Sequence, residues 1–77
     1  MIMEQGKFQK QAEEYAAKVN HKKPLYAGIE NNCEYYYLPR AVKGHYLGLP
    51  SIIKYTPKGR RIDVVDIAEI FRAFDRV

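Results

Sequence analysis

The chain has little of what small domains use as staples. A single cysteine, Cys33, excludes an internal disulfide, and with only two histidines beside it a four-ligand structural zinc shell cannot be completed. Long hydrophobic runs are missing as well. Lys7 and Lys10 interrupt the N-terminus before any stretch of signal-peptide length, so neither a spanning helix nor a secretory leader is expected, and a soluble cytoplasmic protein is the expectation. No Walker-type phosphate loop, Gly-x-Gly-x-x-Gly run, nucleophile elbow or His-Glu-x-x-His motif is present, so no enzyme, cofactor or metal site is expected. Acidic residues are lacking in one place above all: none occurs between Arg40 and Arg61.

What is present suffices for folding. The 77 residues are 47% hydrophobic and 13% aromatic, enough to outweigh chain entropy. At this size roughly 63% of the unfolded surface is buried on folding, which allows one small core and one domain over 1–77. The net charge of +4 is unevenly spread. Residues 1 to 38 hold five bases and five acids, whereas residues 39 to 77 hold eight bases and four acids. Six of those bases, Arg40, Lys43, Lys54, Lys58, Arg60 and Arg61, fall in the acid-free stretch, interleaved with His45, Tyr46 and Tyr55. Such a stretch reads either as a solvated basic surface or as an anion-binding face.

Periodicity organises the chain. Phe8, Ala12, Tyr15, Ala16 and Val19 recur on one helical face, and Asn20 with Pro24 stops the helix. Leu25 to Ile29 and Cys33 to Leu38 are β-prone runs around Asn31-Asn32, residues that tolerate the positive φ of a tight hairpin. A two-residue loop sets Ile29, Ala27 and Leu25 opposite Glu34, Tyr36 and Leu38, with Tyr26, Gly28, Tyr35 and Tyr37 on the other face; a slip by one exchanges the faces. Pro39, Gly44, Gly48 and Pro50 leave a loop, in which Pro39 to Gly44 could form one helical turn. Ile52 to Thr56 and Arg61 to Val65 flank Pro57-Lys58-Gly59, a second hairpin with either a three-residue or a two-residue loop. Asp66 with Glu69 forms a capping-box pattern ahead of Ile67, Ile70, Phe71, Phe74 and Val77, whose spacing makes that face core. Glu69 and Arg72 can pair on its outer side. The expectation is an α+β fold: an N-terminal helix, about four antiparallel strands in two hairpins, and a C-terminal helix. Both helices are expected on one side of the sheet.

Gly48-Leu49-Pro50 followed by a strand, a Lys58-Gly59 turn, a second strand and a helix resembles the second half of a thioredoxin-type domain, where a cis-proline begins that strand pair. The resemblance covers about Leu47 to Phe74. The first half departs from it, with no Cys-x-x-Cys and no strand before the first helix, so no activity is taken from it.

Candidate sites follow from side-chain chemistry. Cys33 reads as a small hydrophobe and His21 as a carbonyl cap or a solvent-facing side chain. Seven tyrosines are many for this length, and Tyr35, Tyr36 and Tyr37 must alternate between sheet faces. Tyr36 is the expected core member. Tyr35 and Tyr37, with Tyr26 across from them, would form an open aromatic face able to stack on single-stranded bases or to anchor a protein interface. Two functional classes result. One is a non-enzymatic nucleic-acid-binding module using Arg40, Lys43, Lys54, Lys58, Arg60 and Arg61 for phosphates and Tyr35 and Tyr37 for bases. The other is a protein-interaction module, a homodimer through the tyrosine face or an open edge strand, or a binder of an acidic protein.

Overall fold

A computed structural model of the chain describes residues 6–19, 21–39 and 50–77. Helix α1 (Gln9–Lys18) leads into strands β1 (Leu25–Glu30), β2 (Cys33–Tyr37), β3 (Ile52–Tyr55) and β4 (Arg61–Asp63), and helix α2 (Ile67–Asp75) ends the chain. The fold class is the α+β arrangement read from periodicity. Arg40, Lys43 and the helical turn considered after Pro39 lie outside the described residues.

The strands form one antiparallel sheet in the order β1-β2-β3-β4. The first hairpin turns on Asn31 and Asn32, with φ of 53° and 65°, and pairs Ile29 with Glu34 as the two-residue loop requires. Its register then shifts. A bulge between Tyr26 and Ile29, with Gly28 at φ 84°, pairs Tyr26 with Tyr36 and Leu25 with Tyr37. Tyr26 thereby joins Tyr36 on one face instead of lying among Tyr35 and Tyr37, a correction to the unbroken ladder. The second hairpin takes the three-residue loop. Thr56 N–H donates to the Arg60 carbonyl at 3.0 Å, Gly59 N–H donates to the Thr56 carbonyl at 2.8 Å, and Gly59 has φ 89°.

The helices lie on opposite faces of this sheet, which corrects the expectation that both share one side. Phe8, Ala12 and Ala16 of the α1 region pack with Tyr36, Leu38, Ile53 and Tyr55. Ile70 and Ala73 of α2 pack with Ala27, Tyr35, Ile52 and Val64. Adjacent residues of β2 and β3 are therefore divided between two small cores, as strand alternation demands. With both faces covered, the chain buries apolar surface on either side of a single sheet.

Local chemistry places each helix. The start of α1 has no side-chain cap of its own; Phe8 N–H donates to Tyr36 Oη at 3.1 Å and to Glu34 Oε1 at 3.2 Å, so β2 caps the helix across the fold. Behind it, His21 N–H donates to the Ala16 carbonyl at 2.8 Å and Pro24 is buried. Asp66 caps α2 as expected, accepting from Glu69 N–H at 3.0 Å. The Glu69 side chain, however, does not pair with Arg72. It turns to the sheet, where Lys54 Nζ lies 2.6 Å away and the Tyr35 hydroxyl donates to the same carboxylate. Arg72 and Arg76 instead reach Glu30 of β1 at 2.7 and 3.3 Å.

Those contacts rotate α2. Its polar flank is tied to β1, β2 and β3, so Ile70 and Ala73 are buried on the sheet while Phe74 meets it only at the edge of Tyr37. Ile67, Phe71 and Phe74 are left 58%, 46% and 39% exposed. The apolar face of α2 was expected to be core along its whole width; half of it is surface.

Candidate functional site

The β3–β4 turn carries Lys58, Arg60 and Arg61 and comes to rest on the first turn of α1. The contact is close: a Cβ on Gly59 would stand 3.3 Å from the Phe8 ring. The Lys7 ammonium lies 5.6 Å from the centroid of that same ring, and Lys7 and Pro57 border one shallow depression. The turn that carries Lys58, Arg60 and Arg61 is thus brought beside the Lys7-bearing start of α1, along one margin of the molecule whose depression Glu34 also borders. Lys58 and Arg60 are exposed, and no carboxylate among the described residues pairs with either. Arg61 is pre-oriented. Its guanidinium carbon sits 3.8 Å from the Tyr15 ring centroid, while Nε stands 3.6 Å from Asp63 Oδ1. Thr56 Oγ1 accepts from Arg60 N–H at 3.1 Å and stiffens the turn that presents these groups.

Chemically, this margin can hold phosphate or carboxylate oxygens. Arginine offers a planar donor fork and lysine a point charge, and neither Lys58 nor Arg60 must first break an ion pair within the described part of the fold. Lys7 and Tyr15 were not singled out from sequence. Lys7 carries no local signal because its neighbourhood to the turn exists only after α1 has packed on β3, and Tyr15 reads simply as one more apolar-face residue.

Other expected site residues are placed elsewhere. Lys54 faces α2 and is held by Glu69, so it does not join the basic margin. Tyr35 is 1% exposed and lies beneath α2, with Lys54 and Arg76 stacked at 5.6 and 5.5 Å from its ring. Tyr37 is half-buried against Phe74, with ring centroids 5.1 Å apart in an edge-on arrangement. Helix α2 covers Tyr35 and half-covers Tyr37, so these rings do not form the open aromatic face expected from sequence. Tyr36 is a core residue, as expected, fully buried among Tyr26 and Tyr55.

Beneath α2 the buried polar groups are matched. Lys54, then Tyr35, hydrogen-bond Glu69 and hold its carboxyl below the ordinary value against the opposing effect of burial. Burial, then the Glu69 carboxylate, pushes the Tyr35 phenol above its ordinary value, so it remains a donor. Arg72 first, with Arg76 adding to it, likewise lowers Glu30. Arg76 Nε also donates to the Ala27 carbonyl at 2.6 Å, closing the bulged part of β1. No buried side-chain nitrogen or oxygen among the described residues lacks a partner. This network is structural glue between α2 and the sheet.

His21 does cap carbonyls, though those of the chain leaving β2: its Nδ1 lies 3.0 Å from the Leu38 oxygen and 3.2 Å from that of Pro39. Cys33 is half-buried and free. Among the described residues no three His, Cys, Asp or Glu side chains gather as a metal would need, no peptide bond is cis, and no helix is long and apolar enough to cross a membrane. No family model, curated protein or solved structure matches the chain.

Proposed function

We propose that this chain is a small cytoplasmic, non-enzymatic module that binds nucleic acid through its phosphate backbone, using Lys7, Lys58, Arg60 and Arg61. The observation that carries this reading is the seating of the β3–β4 turn on α1, which brings the turn's three cations beside the Lys7-bearing start of that helix, with Lys58 and Arg60 free of carboxylate partners in the described fold. Compared with the reading drawn from sequence, Lys7 joins the set, Lys54 contributes no phosphate contact, binding involves no stacking on β2, and Arg40 and Lys43 lie outside the described residues. It is therefore insensitive to base identity, since phosphate contacts position a duplex or strand without reading it. An acidic protein presents similar oxygens without the counterion atmosphere of a polyphosphate, and salt dependence separates the two.

The test is a salt titration of binding to single- and double-stranded oligonucleotides of mixed sequence. Four phosphate contacts give a slope of log K against log salt of roughly −3 to −4, with dissociation constants on the order of 10⁻⁴ to 10⁻⁶ M near physiological salt. Replacing Lys58 and Arg60 together by Ala reduces that slope by about two units, whereas Lys54→Ala leaves it unchanged. Absence of binding to either DNA or RNA at about 50 mM salt would reject the reading, because electrostatic binding is strongest there.

A further inference from the structure

Among the described residues, the outer face of α2 is covered only where Phe74 meets Tyr37 of β2. Ile67, Phe71 and Phe74 follow one another at i, i+4 and i+7, a straight stripe along the helix. Val77, three residues beyond Phe74, prolongs it at the C-terminal end and is exposed. Leu25 widens it. This exposed residue is paired with Tyr37, whose ring lies against Phe74. From their fractional exposures these five side chains offer on the order of 500 Å² of apolar surface, within the range of the largest patch found on an ordinary monomer.

We infer that this stripe is the interface of a two-fold dimer of the chain, formed by α2 packing on α2 of a second copy. It is independent of the nucleic-acid reading, since the stripe and the basic margin lie with different helices on opposite faces of the sheet. The area argues for a second copy. A stable standard-size interface takes about 800 Å² from each partner, and an isologous contact uses the same patch twice, so the apolar stripe with its polar rim reaches that size without any other surface. A two-fold axis near Phe71 runs the helices antiparallel, which sets the Asp66 end of each beside the Arg76 end of the other and opposes their dipoles.

The other routes to self-association are blunted. β4 is three residues long and carries Arg61 and Asp63 exposed at its edge. β1 is bulged at Gly28, and Arg76 occupies the Ala27 carbonyl. The tyrosine face considered from sequence is beneath α2 itself. Among the described residues, the stripe is what remains broad, apolar and regular.

Sedimentation equilibrium on the full chain tests the inference. At about 100 μM the wild-type protein is expected at twice its 9.0 kDa chain mass, dissociating on dilution, with a melting temperature that rises with protein concentration. Phe71→Glu and Ile67→Glu are each expected to sediment as a 9.0 kDa species with the far-ultraviolet circular dichroism of the wild type. Ile67→Glu guards against simple unfolding, because a carboxylate at the first position of α2 suits the helix dipole. A wild-type chain that stays monomeric up to several hundred micromolar, or a dimer that survives both substitutions, overturns the inference. Loss of the fold in both variants overturns it too, by placing these side chains inside the monomer's core.

Discussion

Ile70 and Phe71 are neighbours in the chain and opposites in the fold. Both belong to the apolar pattern of the last helix, yet Ile70 is buried against Ala27, Tyr35 and Val64 while Phe71 stands half in water. Ile70→Ala is expected to cost about 2–5 kcal/mol, through lost transfer energy and an unfilled cavity. Phe71→Ala is expected to cost about 1 kcal/mol in dilute solution, since only half a side chain leaves the interior. Urea denaturation of the two variants at low micromolar concentration checks the contrast; equal losses would mean that α2 sits rotated from its described position. Tyr35 and Tyr36 show the same lesson in a strand. Both rings are buried, one on each face, and each hydroxyl donates to a carboxylate, Glu69 for Tyr35 and Glu34 for Tyr36. A buried tyrosine keeps its polar end satisfied, and here both partners are acids.

Elements in this chain are closed by partners far away in sequence. Helix α1 begins without a capping side chain, and β2 supplies the acceptors through Glu34 and Tyr36. Gly6 makes that approach possible. A Cβ there would run into the Tyr36 hydroxyl and lie 2.7 Å from Glu34 Oε1 and 2.8 Å from the Tyr26 ring. Gly6→Ala is expected to destabilise the protein by about 1–3 kcal/mol, the range for overpacking a filled site. The loss should fall first on α1. Amide exchange at Gln9 to Ala12 is expected to quicken more than exchange in α2, and equal quickening in the two helices would contradict the assignment. The β1 bulge is a second case. Arg76 lies beside Gly28 and donates to the Ala27 carbonyl at the point where the strand departs from a regular ladder.

For the molecule as a whole, two small cores share one sheet, and α2 is held over its core by charged groups as well as by apolar ones. The acid side of stability follows from those groups. Lys54 and Tyr35 lower Glu69, and Arg72 with Arg76 lowers Glu30, each from an ordinary value of 4.5. A carboxyl depressed in the folded state binds fewer protons than in the unfolded chain. Its contribution is therefore complete above pH 4.5 and is lost as pH falls from there through the folded value. The thermal midpoint is expected to be flat between about pH 7 and 5 and to fall below that. Glu69→Gln should begin lower at neutral pH, because Lys54 loses its partner, and should fall less steeply in acid. A variant as steep as the wild type would show that the Lys54–Glu69 pair does not govern acid stability.

Much of this was legible along the chain. Local signals marked the six elements: the period of Phe8, Ala12 and Ala16, the positive-φ pair Asn31-Asn32, the Pro57-Lys58-Gly59 turn and the Asp66 cap. These depend on backbone conformations and spacings that neighbouring residues impose on one another, so they survive without knowledge of the fold. The acid-free run from Arg40 to Arg61 was equally visible as charge, but not as a surface. Which of its bases remain available was decided when Lys54, alternating to the α2 face of β3, met Glu69, and when Arg61 met Tyr15. The side of the sheet on which each helix lies was likewise invisible, because an amphipathic helix records that it has a partner face and not which face that is. The tertiary structure made that choice by distributing Tyr35 and Tyr36 to opposite cores. In doing so it buried the aromatic platform that the run of tyrosines had suggested and left the outer half of α2 in its place.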